Sequence, residues 1–131
     1  MSQRPITQFV TGTSGQAVLI PLEYMGPAFQ CSIQVVSTGT AVFEVDQTMD
    51  PTNDWYTDSS VAANSNGLYT GPVTATSGNW TAVAGLTAAI IVAAGVYLGY
   101  LTSPATAIRL RCVTSGTGYA VIRVLQTAVA Q

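Results

Sequence analysis

The chain has 131 residues, enough for one domain and too few for two of ordinary size. Only 8% of the residues are charged, against about 25% in ordinary domains, and neither histidine nor lysine occurs. That excludes Ser-His-Asp triads, Cys-His pairs and His-bearing zinc sites, and four arginines in a chain of net charge −2 are too few for a nucleic-acid footprint.

Hydrophobic residues make up 48% of the chain and the mean hydropathy is +0.37, so this is not the composition of a disordered segment. Its 28 Ser and Thr and 12 Gly must supply most of the polar exterior. Such a surface has little charge to repel a neighbour, which points to an assembly subunit whose outside is covered by other subunits. A Thr-rich monomer is the plain alternative.

The opening Met-Ser-Gln-Arg-Pro-Ile-Thr has no apolar stretch, so no secretory signal is expected. Residues 1–15 read as an extended N-terminal arm ending at the Gly12–Gly15 turn, and residues 16–131 as a single β-domain. Residues 16–22 suit an edge strand, because Pro21 cannot donate to a ladder. Phe29, Cys31, Ile33 and Val35 alternate with Gln30, Ser32 and Gln34, the pattern of a half-buried strand. In 41–47, Ala41, Phe43 and Val45 face in, while Val42, Glu44 and Asp46 face out.

Residues 48–79 are rich in Asp, Asn, Ser, Pro and Gly and read as a long loop, with one short strand near 68–75 and with Trp55, Tyr56 and Tyr69 as anchors. Residues 82–101 are uncharged and long enough to imitate a membrane helix. No Lys or Arg flanks them, and Gly85, Gly95 and Gly99 divide them into strand-length pieces, so strands and turns over 80–84 and 87–101 are expected and no membrane span. Ile108, Leu110 and Cys112 then alternate with Arg109 and Arg111, and 119–127 returns as a further strand. The expected fold is all-β: an antiparallel β-sandwich or jelly roll of seven to eight strands. Without a secretory signal, Cys31 and Cys112 read as buried free thiols rather than a disulfide.

A resemblance adds to this reading. Val42–Asp46, then Asp50-Pro51 and Trp55, and the ending Ala107–Leu110, Thr114–Gly118 and Val121–Gln126 resemble small phage virion β-sandwich proteins. The likeness spans roughly residues 40–126 and rests on short strand-and-turn patterns; the apolar 82–101 run departs from it. The resemblance implies a non-enzymatic structural subunit of the head decoration (cement) type, or a related neck or tail component. It would act as a homo-oligomer or on a major capsid protein, in a virion assembled in the host cytoplasm, with no cofactor, nucleic acid or membrane. A carbohydrate- or receptor-binding β module of a phage tail or fibre is the alternative, because sugars stack on rings such as Trp55, Tyr56 and Trp80.

Little in the sequence supports chemistry. Asp46, Asp50, Asp54 and Asp58 recur every fourth residue and could offer oxygens to Ca²⁺, but the spacing is not that of an EF-hand, so a solvated acidic loop is the simpler reading. Nothing fixes two carboxylates across a cleft, and no catalytic or metal-binding residue is assigned. The candidate residues are therefore interface residues: the acids Glu44 and Asp46, the rings Trp55 and Tyr56, and Arg109, Arg111 and Arg123. A three-residue hairpin loop with Gly118 in the left-handed region would set Arg123 opposite Arg111, with Glu44 or Asp46 beside the pair.

Overall fold

The computed structural model describes residues 6–22, 29–49, 74–76, 78–101 and 104–128. These form eight strands and no helix: β1 (Ile6–Thr11), β2 (Ala17–Pro21), β3 (Phe29–Ser37), β4 (Val42–Thr48), β5 (Thr81–Ala82), β6 (Gly95–Tyr100), β7 (Ala107–Thr114) and β8 (Tyr119–Ala128). They pair antiparallel in two four-stranded sheets, sheet A in the order β1-β8-β3-β6 and sheet B in the order β2-β7-β4-β5. The first strand pairs with the last, the second with the seventh, the third with the sixth and the fourth with the fifth. This is a long antiparallel ribbon wrapped into a sandwich, the eight-stranded jelly roll.

Period-two alternation builds the core. Sheet A turns in Val10, Cys31, Ile33, Val35, Ala120, Ile122 and Val124, and sheet B turns in Ile20, Phe43, Val45, Ile108, Leu110 and Cys112, all buried. Both cysteines are free, one on each inner face. Burial pushes the Cys31 thiol up to about 11, so it behaves as a small core hydrophobe.

The apolar stretch after residue 82 forms strands and turns, as expected, but with less strand. Only Thr81–Ala82 and Gly95–Tyr100 pair in the sheets. Between them a strap of turns runs along the outer edge of β4: Val83 donates to Val45 O, Val45 to Leu86 O, and Phe43 to Ile91 O. Val83, Leu86 and Ile91 drop into the core, whereas Ile90, Val92, Val96 and Leu98 of the same stretch are exposed. A side chain at Gly99 would strike Leu86, so the glycine makes room for this plug. Among the described residues, no helix is long and apolar enough to cross a membrane.

Two expectations change. From Ile6 onward the anticipated arm is strand β1, paired with β8 from Ile6↔Val124 to Thr11↔Tyr119; residues 1–5 lie outside the described residues. And β7 does not form a hairpin with β8. The chain passes from sheet B to sheet A through Ser115–Gly118, beside the crossovers that join β1 to β2 and β3 to β4. Gly12 donates to Gly118 O, Gly116 to Gly12 O, and Thr40 to Thr117 O, so three chain passages bond at one end of the sandwich. The left-handed Gly118 is present (φ +84), but it serves this crossing; a Cβ there would fall 2.1 Å from Thr38 O.

Candidate interaction surfaces

The outer face of sheet B carries four of the candidate residues in one network. β4 and β7 pair in a register that sets Asp46 opposite Arg109 and Glu44 opposite Arg111, so opposite charges meet across the strands. Asp46 Oδ2 accepts the Nε–H of Arg109 and of Arg111, both at 2.8 Å, and Glu44 Oε2 accepts from Arg111 Nη2 at 2.5 Å. The chain's own segments complete the shell. Arg109 Nη1 donates to Ala75 O at 3.1 Å, its guanidinium lies 4.6 Å from the centre of the Trp80 ring, and the Ala88 N–H donates to Glu44 Oε1 at 3.2 Å.

The two acids respond oppositely. Burial pushes the Asp46 carboxyl up, but its interactions with Glu44, Arg109 and Arg111 outweigh that and hold it below the usual carboxylate range. Burial and the neighbouring Asp46 raise Glu44, against the lowering by Arg111 and the Ala88 N–H. With Asp46 only 2% exposed and Arg109 14%, the network is internally balanced, two charges of each sign. It pins the covering segments to sheet B. Among the described residues no group of three or more Cys, Asp or Glu could hold a metal ion.

Arg123 stands apart. Alternation keeps it outward, as expected, but on sheet A, where it lies opposite Thr7 and Gln34 rather than Arg111. The expected arginine pair fails because β8 belongs to the other sheet. Its Nη1 reaches Gln34 Oε1 at 3.4 Å. Trp55, Tyr56 and Tyr69, together with Asp50, Asp54 and Asp58, lie outside the described residues.

The surface that sequence reasoning missed surrounds Arg123. On the outer face of sheet A the ladder aligns Phe9, Val121, Val36 and Val96 in one row across all four strands. Leu98, Tyr100, Leu125 and Tyr119 continue the apolar area to either side. Exposure is high, 64% at Phe9, 62% at Val96, 72% at Leu98 and 68% at Tyr100. Arg123 is the sole charge on this face among the described residues, with Gln30, Ser32 and Gln34 as polar neighbours. A shallow groove runs past Leu98, Tyr100, Leu125 and Arg123. The signal was present in Val36, Val96 and Leu98. It was masked because an apolar strand reads as doubly buried until the other sheet is located.

No protein-family model matches the chain, and no curated protein or solved structure matches it.

Proposed function

We propose that the chain is a non-enzymatic virion structural protein, a capsid decoration subunit that docks the outer face of sheet A on a coat lattice. The observation that carries this reading is the four-stranded apolar face with one arginine, on which Phe9, Val96, Leu98 and Tyr100 are each more than 60% exposed. The jelly roll is compatible, being a scaffold of capsid and lectin domains alike, but a fold does not assign a role. The face supports a partner that is apolar and presents a carboxylate to Arg123.

The mechanism is mechanical. Each docked copy buries surface on itself and on two or more coat subunits, so rupture of the shell must first expose it again. No chemical turnover is involved. The carbohydrate-binding alternative is less well supported, because Trp80 turns its ring to Arg109 rather than to an open site. Co-sedimentation with coat shells tests the proposal: the wild-type chain saturates at a fixed ratio, while Arg123→Glu and Phe9→Ser bind far more weakly without loss of fold. Equal binding by both variants would remove sheet A from the account.

A further inference from the structure

Both edges of sheet B are blunted, and the β6 edge of sheet A is not. In sheet B, β2 carries Pro21, and β5 is two residues long and continued by the 83–91 strap. These are ordinary protections against unwanted strand pairing. In sheet A, β6 is a six-residue edge strand, Gly-Val-Tyr-Leu-Gly-Tyr, with no charge, no proline and no register shift against β3.

The direction of its free backbone groups follows from the ladder. Leu101 donates to Cys31 O at 3.0 Å, and the register of Ser32 with Tyr100 sets Leu101 opposite Cys31. Bonded and non-bonded pairs alternate in an antiparallel ladder. Gly95, Tyr97 and Gly99 therefore direct N–H and C=O to β3, and Val96, Leu98 and Tyr100 direct theirs to the open edge. Among the described residues, no backbone bond outside the ladder takes up these groups.

We infer that β6 pairs antiparallel with β6 of a second copy about a two-fold axis at Leu98. That register satisfies every outward group of the three residues: Leu98 exchanges two bonds with the partner copy's Leu98, and Val96 and Tyr100 exchange two with each other across each half. On the outer face it sets Tyr100 against Val96, a favourable aromatic–β-branched pair. On the inner side it sets Tyr97 against Gly99, so two large side chains never meet there. The pattern is self-complementary about Leu98, which is what a two-fold interface requires. The two apolar faces become one continuous eight-stranded face. The edge carries no charge to repel its copy, whereas stacking two sheet A faces directly would bring one Arg123 into an apolar interface from each side.

A joint of six residues is about 20 Å long at ~3.3 Å per residue. Alone it buries less than the ~1,200–2,000 Å² of a standard interface, so the dimer is weak and concentration-dependent. The inference rests on the edge and needs no coat lattice, so it and the proposed docking fail separately.

Sedimentation equilibrium of the full chain alone, from micromolar to millimolar concentration, tests it. The wild-type chain is expected to pass from monomer to dimer, and Leu98→Lys to weaken the dimer by roughly tenfold or more, since two ammonium groups then meet on the axis. Circular dichroism confirms that this exposed substitution keeps the fold. Leu98→Cys is expected to cross-link across the axis under mild oxidation, with the native thiols buried. A wild-type chain monomeric throughout, a Leu98→Lys chain that dimerises as tightly as wild type, or a Leu98→Cys chain that stays uncrosslinked where dimer is present would each overturn the pairing.

Discussion

Asp46 faces Arg109 directly across the β4–β7 ladder, and its Oδ2 accepts the Arg109 Nε–H at 2.8 Å while also accepting from Arg111 at the same distance. One carboxylate oxygen thus joins two cations on one side of sheet B, and through Ala75 and Trp80 it ties a distant segment to that face. Removing a single partner from a buried pair leaves the other charge uncompensated. Asp46→Ala is expected to lower stability by about 3–5 kcal/mol in urea unfolding. A loss below 1 kcal/mol, the scale of an exposed pair, would show that the network is ornamental.

The same residue sets an acid limit. Because its folded-state value lies below the ordinary 3.8, Asp46 contributes stability that is complete above that value and is lost as pH falls toward the folded one. Glu44, raised above its ordinary 4.5, works in the other direction, costing stability as pH rises through that value. Unfolding followed from pH 6 to pH 2 should show wild type losing stability below about pH 4, with a shallower loss in Asp46→Asn. Parallel curves for the two proteins would contradict the assignment.

Gly118 and Gly39 lie at the crossing of chain passages, with φ of +84 and +78 and with carbonyl oxygens 2.1 and 2.2 Å from where a Cβ would stand. Gly15 and Gly85 share the positive φ but face open space. Thermal melting should therefore separate the pairs. Gly→Ala at 15 or 85 is expected to cost about 1 kcal/mol from backbone conformation alone, and at 39 or 118 clearly more, because backbone must move. Equal losses at all four positions would sink the crossing as the reason for these glycines.

Ser37 is buried at the end of β3, and among the described residues its Oγ has no hydrogen-bond partner. A buried hydroxyl without a partner carries a desolvation cost. Ser37→Ala is expected to be neutral or to stabilise by up to about 1 kcal/mol, read as the denaturant midpoint. A clear destabilisation would mean that the hydroxyl is bonded in solution.

The sequence exposed what depends on neighbours along the chain. Alternation at Cys31, Ile33 and Val35 and at Ile108, Leu110 and Cys112 marked the inward faces, Pro21 marked an edge strand, and Glu44 or Asp46 was expected beside Arg111, though in a pair with Arg123 that does not form. Sheet membership was not readable. Gly116-Thr117-Gly118 suits a hairpin and a sheet-to-sheet crossing equally, because either requires a sharp, small-residue turn, and only packing against Thr38–Ala41 decides between them. The error in the partner of Arg123 followed from that one choice. The open face followed too, since Phe9, Val36, Val96 and Val121 align only once β1, β8, β3 and β6 are known to be neighbours.

The most direct test of the account is quantitative mass spectrometry of purified virions assembled with the wild-type chain or with Arg123→Glu. The account predicts a fixed number of wild-type copies per coat protein and a severalfold fall for the variant, with the variant folded and equally abundant in the cell. A wild-type chain that is expressed yet absent from the particles, or a variant retained at the wild-type ratio, would contradict it.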